Sequence, residues 1–95
     1  MALVKVENVR TVADISVCRV DERTDADLVV CVTDMRGISG NMEHIWTYVE
    51  NNGDATIKIF WDEVTQTADL KVLLADDIAV AGWQIENHPL KGKLA

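Results

Sequence analysis

The fold of this chain is decided by a short unit that reads Ala13-Asp14-Ile15-Ser16-Val17 and, thirteen residues later, Ala26-Asp27-Leu28-Val29-Val30. Related units follow at Ala55-Thr56-Ile57-Lys58-Ile59, Ala68-Asp69-Leu70-Lys71-Val72 and Ala81-Gly82-Trp83-Gln84-Ile85. Self-similarity at a fixed period indicates that one structural unit is used again and again. The repeat therefore constrains the architecture of the protein more than any single residue does.

The repeated units predict β-strands. Their apolar residues alternate with other side chains, as at Ile15 and Val17 or at Ile57 and Ile59. Alternation with β-branched residues is typical of a strand that buries one face. The first apolar-phase position of the successive segments falls at Val4, Ile15, Leu28, His44, Ile57, Leu70 and Trp83. The sequence therefore predicts a mainly β, single small domain of about seven short repeated strands.

Two connections between the units carry their own signals. The step from Leu28 to His44 is sixteen residues rather than thirteen, and the glycine-containing segment Arg36–Asn41 accounts for it as a three-residue loop insertion. Asn52-Gly53 predicts a hairpin-type turn, because both residue types tolerate a positive φ.

Residues 67–80 fit either a strand or a helix. Leu70, Leu73, Leu74 and Ile78 would also share one helical face. A strand is favoured because the equivalent unit at residues 57–61 is rich in β-branched and aromatic residues, which are poor helix formers. Taken alone, the seven segments predict a meander that closes into a small barrel or sandwich.

The repeated units, the aromatic stretch Ile45-Trp46-Thr47-Tyr48-Val49 and the closing Ala81-Gly82-Trp83 resemble the septoil-knot domain family. The resemblance covers about residues 3–85, although Gly40–His44 and Ala55-Thr56 depart from the alanine-aspartate pattern. It implies a backbone that forms a seven-crossing torus knot, and it allows a homodimer. It implies no activity, because the family is a small domain of bacteria and their viruses with no characterised function.

Size and charge limit the function classes. The chain has 95 residues, which predicts one domain: a repeated-strand β domain at residues 1–86 and a C-terminal tail at residues 87–95. A net charge of -7 argues against direct binding of nucleic acid, which needs a basic surface. No apolar run is long enough to span a membrane, and no export signal is found, so we expect a cytoplasmic protein.

The repeat aspartates Asp14, Asp27 and Asp69 are the first candidates for chemistry. Convergence on a cation is the sharper hypothesis, but no loop supplies the six to eight oxygens that Ca²⁺ requires. Hydrogen bonding of each aspartate to its own turn is favoured instead. His44 and His88 have no metal-ligand spacing, so neither a metal site nor a cofactor is predicted.

Cys18 and Cys31 occupy equal phases of successive units and could be spatial neighbours. Because free cysteine behaves as a small hydrophobe, buried free thiols are the expectation. No histidine is tied to either cysteine by a motif, so the sequence offers no nucleophile with its base.

The candidate binding residues are Trp61, Phe60 and His44. Trp61 follows Phe60 at the end of a predicted strand and precedes two acids, and tryptophan is over-represented at interface hot spots. Trp46 and Trp83 share the inward phase and are expected in the core.

Three functions stay open on the sequence alone. The first is a non-enzymatic protein-interaction or structural module, which fits the repeated strands and the missing catalytic motifs. The alternative is a virus- or mobile-element-encoded inhibitor whose acidic surface faces a basic, nucleic-acid-binding target. The third, an enzyme or metal protein that uses the repeat aspartates, is the weakest.

Overall fold

A computed structural model of the chain describes residues 2–33 and 42–94. Its seven strands confirm the mainly β prediction, and residues 67–80 hold a strand and a 3-10 turn rather than an α-helix. The strands are β1 Ala2–Val6, β2 Ile15–Arg19, β3 Leu28–Val32, β4 Ile45–Tyr48, β5 Ile57–Trp61, β6 Leu70–Ala75 and β7 Gly82–Trp83. The predicted insertion at 36–41 lies outside the described residues.

Six of the strands form a closed, parallel ring in the order β1, β5, β2, β6, β3, β4, with β4 pairing to both β1 and β3. The first half of β3 pairs on its free side with β7, which runs antiparallel, and its last two residues pair with β4. With β7 in its place between β3 and β4, each strand lies two places round the ring from the strand before it. The chain thus makes nearly two circuits of one barrel.

The predicted meander and the hairpin at Asn52-Gly53 are therefore wrong. Parallel strands cannot be joined by a tight hairpin, and Asn52–Asp54 forms a 3-10 turn within the crossover from β4 to β5. Gly53 does not have a positive φ; among the described residues only Gly82 and Gly92 do.

The thirteen-residue period fits a crossover over a single strand. A five-residue strand spans about 13 Å and two places round the ring cover about 10 Å, so the next strand begins about 16 Å away. The eight residues between β1 and β2 can reach more than about 25 Å when extended, and a 3-10 turn takes up the excess length.

The alanine of the repeat ends this 3-10 turn. Its backbone N–H donates to the carbonyl three residues earlier, at 3.1–3.3 Å, in four units: Ala13 to Arg10, Ala26 to Arg23, Ala55 to Asn52 and Ala81 to Ile78. Each of these alanines already has an extended backbone, so the chain passes from the turn into the next strand.

The aspartate of the repeat joins neighbouring strands, which corrects the prediction that it hydrogen-bonds its own turn. Asp14 donates its N–H to the Lys58 carbonyl and accepts the Lys58 N–H on Oδ2, both at 2.8 Å. Asp27 makes the same two-point contact with Lys71, and Asp69 makes it with Ser16. The side chain thus extends the ladder by one backbone N–H that would otherwise be unpaired.

The barrel interior is filled in layers. Three pairings, Ile15 with Ile59, Leu70 with Val17 and Leu28 with Val72, displace neighbouring strands by two residues, as the stagger of tilted strands in a closed barrel requires. The central layer has one residue from each ring strand, and all are 0% exposed: Val4, Val17, Val30, Trp46, Ile59 and Val72.

The two ends of the barrel differ. At the amino ends of the strands the core is closed by Leu94, which is 0% exposed, with Trp83 and Leu90 packed beside it. At the carboxyl ends the inward positions form a set that we call the upper ring: Val6, Arg19, Val32, Tyr48, Trp61 and Leu74. We call this end of the barrel the mouth, and the described residues leave it partly open.

Candidate functional site

The upper ring follows from the register, since each member lies two residues beyond the central layer on its strand. Val6, Val32 and Tyr48 are 38%, 37% and 43% exposed, although their phase is that of the core. Apolar side chains that keep the inward phase but are not covered form an exposed apolar surface at one end of the barrel.

A groove of about 630 Å³ runs over this surface. Four members of the upper ring line it, together with Cys18, Asp62 and Glu63. A second hollow of about 390 Å³ shares Tyr48 with it. In parallel sheets the carboxyl ends of the strands are where ligands commonly bind, because the connecting loops begin there.

Arg19 is the charged member of the upper ring. It lies on β2, which is opposite β4 in the ring, yet its charge acts on the phenol of Tyr48 on β4. The two residues also line the same groove, so they share one side of the mouth. Within the described residues the side chain of Arg19 makes no hydrogen bond or ion pair, whereas the side chains of Arg10 and Arg23 both do.

The environment of the mouth shifts one phenol. Burial raises the pKa of Tyr48 above its ordinary value of 10.0, and the positive charge of Arg19 opposes part of this rise. Both effects are expected where an aromatic ring lies in an apolar wall beside a cation.

Carboxylates surround the mouth. Among the described residues five strand ends are followed within two positions by an acid, and we call the first acid after each of them the acidic rim: Glu7, Asp21, Glu50, Asp62 and Asp76. Glu7 pairs with Lys5, and Asp62 pairs with Arg10 at 3.2 Å. The other three rim acids have no ion-pair partner among the described residues.

Asp62 is the most engaged rim acid. Hydrogen bonds from the Thr67 hydroxyl at 2.7 Å and the Val64 N–H at 2.9 Å, with the charge of Arg10, lower the pKa of Asp62 below its ordinary 3.8. These contacts fix the connection that leaves β5 beside the groove.

At the closed end a buried carboxylate holds the C-terminal segment. Glu43 is 8% exposed and accepts from the Gly92 N–H at 2.6 Å and the Trp83 indole at 3.2 Å on Oε1, and from the Leu94 N–H at 2.7 Å on Oε2. Three converging N–H donors suit an ionised, acceptor-only carboxylate. Glu43 thereby docks the end of the chain into the barrel.

His88 adds a second attachment of this segment. Its Nδ1 accepts the Leu90 N–H at 3.1 Å, its Nε2 lies 3.3 Å from Asp27 Oδ2, and its ring lies 5.3 Å from that of Trp83. The predicted tail at 87–95 thus packs on the barrel over its described part.

The structure separates the three predicted binding residues. Trp61 lies in the upper ring and lines the groove. Phe60 alternates with it on β5, opposite Ser16 in the pairing, and is not part of the groove. His44 precedes β4, at the closed end, and its carbonyl accepts the Cys31 N–H at 2.8 Å.

The cysteines are both buried and free, as predicted. They are not on neighbouring strands, because β6 lies between β2 and β3. Within residues 2–33 and 42–94 no three His, Cys, Asp or Glu side chains are placed to hold a metal ion. No helix in those ranges is long and apolar enough to cross a membrane.

Comparison of the sequence with models of protein families identifies the class of protein to which this barrel belongs. The model of the 7(1) septoil knot domain matches residues 1–84. The chain therefore belongs to the septoil-knot domain family, and its two-place advance round a seven-place ring fits the knot in that name. No curated protein and no solved structure matched the chain.

Two important residues had signals that the sequence interpretation missed. Arg19 stands where other strands carry Val32, Trp61 or Leu74, so a charge breaks an apolar phase. Glu43 stands directly before His44, at the position where other units carry the aspartate that joins neighbouring strands. Both are departures from the repeat, and aligning all units by phase would have found them.

Proposed function

We propose that this domain is a non-enzymatic protein-binding module that contacts its partner through the mouth of the barrel. The observation that carries the proposal is the contrast between the two ends: Leu94 is fully buried at one end, while Tyr48 at the other is 43% exposed. Exposed inward-phase apolar residues around a groove are a typical marker of an interaction site.

Trp61 is the expected anchor of this interface. It is half-buried, so its orientation is held by packing, and it lines the groove beside Tyr48 and Leu74. A preorganised aromatic side chain loses little entropy on binding and covers a large apolar area. We expect its truncation to remove most of the binding energy.

The test is recovery of partners from the native cell on immobilised protein, followed by titration of each recovered protein. Trp61→Ala should weaken the titrated affinity by about 30-fold or more, as for a hot spot. Val12→Ala is the matched control, because Val12 is exposed in a 3-10 turn and lies outside the groove. Equal binding by wild type and Trp61→Ala would exclude the mouth as the interface.

The acidic rim supports a second candidate, an inhibitor that presents acids to a basic, nucleic-acid-binding target. The net charge of -7 and the five described acids of the rim favour it. The triple variant Asp21→Asn, Glu50→Gln, Asp76→Asn should then lose binding and its salt dependence, while Trp61→Ala keeps both. The reverse pattern would select the apolar interface.

The cytoplasm remains the proposed compartment, and two buried free thiols support it. A homodimer is a further outcome that sedimentation of the wild type and of Trp61→Ala would detect.

A further inference from the structure

We propose that the mouth binds a protein segment that carries one carboxylate beside an apolar side chain, with basic residues on both flanks. This inference rests on the proposed function and names the chemistry of the partner. It follows from three features of the mouth: Arg19 in the groove, the apolar wall beside it and the acidic rim at the strand ends.

The central feature is the state of Arg19. Arg10 bonds Asp62, Ser16 and the Thr67 carbonyl, and Arg23 bonds Gln84 and the Val80 carbonyl. The side chain of Arg19 makes no comparable contact among the described residues, although Arg19 stands at an inward-phase position and lines the groove. An unpaired guanidinium against an apolar wall is complementary to a carboxylate, with which it can form two parallel hydrogen bonds.

The wall supplies the second requirement. Trp61, Tyr48 and Leu74 line the groove next to Arg19. An apolar side chain adjacent to the carboxylate of the partner would cover these residues, and excluding water would strengthen the ion pair. The groove, at about 630 Å³, has room for both groups.

The rim decides which anion the mouth accepts. Asp21, Glu50 and Asp76 have no described ion-pair partners, and Glu63 lines the groove. This negative field opposes any polyanion, including nucleic acid, a phosphorylated peptide and an anionic membrane. It favours a segment whose single carboxylate is flanked by lysine or arginine.

The experiment uses the whole chain and a blocked peptide, acetyl-Lys-Ser-Phe-Glu-Ser-Lys-amide, as the probe. Its comparison peptide has Gln in place of Glu, and another has Ser in place of both Lys. Binding is followed by amide chemical shifts and by tyrosinate absorbance, which reports Tyr48 alone because the chain has one tyrosine.

The Glu peptide should bind about tenfold more tightly than the Gln peptide, the worth of one charge-assisted contact in an open site. It should also raise the pKa of Tyr48 further, by neutralising Arg19 and covering the phenol. Arg19→Gln should abolish the preference for Glu, whereas Lys91→Gln, an equal charge change on the exposed C-terminal segment, should keep it. Replacing both lysines should weaken binding, and binding should fall with salt.

Several results would overturn the inference. A Gln peptide that binds as well as the Glu peptide would remove the role of Arg19, as would a preference that survives Arg19→Gln. The role of the rim would be contradicted if the domain bound any polyanion more tightly than the Glu peptide. The polyanions to be compared are the same peptide with phosphoserine in place of serine, phosphatidylserine vesicles and an oligonucleotide. Absence of peptide binding at millimolar concentration would also reject it. The capture with Trp61→Ala decides the proposed function separately.

Discussion

Replacing Glu43 with glutamine tests whether one carboxylate docks the C-terminal segment into the barrel. Glutamine keeps the shape of the side chain but offers one acceptor oxygen and one NH₂ group. With its oxygen towards Gly92 and Trp83, its NH₂ would face the Leu94 N–H, which now bonds Oε2 at 2.7 Å. One charge-assisted bond is lost, and a buried donor is left without an acceptor.

The expected cost of Glu43→Gln is about 2–4 kcal/mol, since a hydrogen bond to a charged group contributes about 1.5–3 kcal/mol and the remaining bonds lose their charge assistance. Burial of Leu94 opposes release of the segment by about 1.5–3 kcal/mol. The free energy lost in the variant is therefore about as large as the stabilisation that burial of Leu94 still provides. For this reason the C-terminal segment should open often without unfolding of the barrel.

Native-state hydrogen exchange at the Leu94 and Gly92 amides measures this opening. A loss of 2 kcal/mol should speed their exchange about 30-fold, and the melting temperature should fall by about 8 °C or more. The amides of the central strands should keep their rank as the slowest to exchange. Glu86→Gln, an exposed acid without a described hydrogen bond, is the matched control. Unchanged protection of Leu94 in Glu43→Gln would refute the docking role of this carboxylate.

Three further predictions concern the repeat aspartate Asp69, the mouth and the acidic rim. Asp69→Ala should destabilise the domain by about 1–3 kcal/mol, because it leaves the buried Ser16 N–H and hydroxyl without their carboxylate. Denaturant unfolding measures this loss, with Asp25→Ala, a change at an exposed aspartate, as the control. Equal unfolding midpoints of the two variants would contradict the prediction. Arg19→Gln should raise the pKa of Tyr48, because the charge of Arg19 now lowers it; a tyrosinate titration that does not move would place the guanidinium away from the mouth. The folded-state pKa of Asp62 lies below its unfolded value of 3.8, so its contribution to stability is present above that pH and is lost as the pH falls through the folded pKa. Melting curves of wild type and Asp62→Asn should therefore differ at neutral pH and converge in acid below 3.8, and a constant difference would show that titration of Asp62 is not involved.

The strands of the barrel and their buried faces were predictable from the local sequence pattern. Alternation at Ile15 and Val17 or at Ile57 and Ile59 specifies one buried face, because strand side chains point to opposite faces in turn. The fixed spacing showed that this unit is repeated, and the β-branched residues favoured strand over helix at residues 67–80. The strands, their number and the inward phase of Trp46 all depend on nearest neighbours along the chain.

The candidate site was only partly predictable. Trp61 was found because a large aromatic residue stood beside acids at a strand end. Its groove partners Arg19 and Tyr48 were not, because they line one groove from strands that lie opposite each other in the ring. His44 was predicted with Trp61 but lies at the other end, since it precedes its strand while Trp61 ends one.

By itself, the sequence determined seven short strands, their buried faces and the alanine-aspartate signal at the start of most units. Only the tertiary structure decided that six of the strands are parallel and that the chain advances two places at each crossover, because that choice depends on long-range hydrogen bonds that no local pattern encodes. The same pairing made the repeat aspartates into inter-strand clamps. It also gathered Arg19, Tyr48 and Trp61 at one open end while Glu43 drew the last residues of the chain into the other.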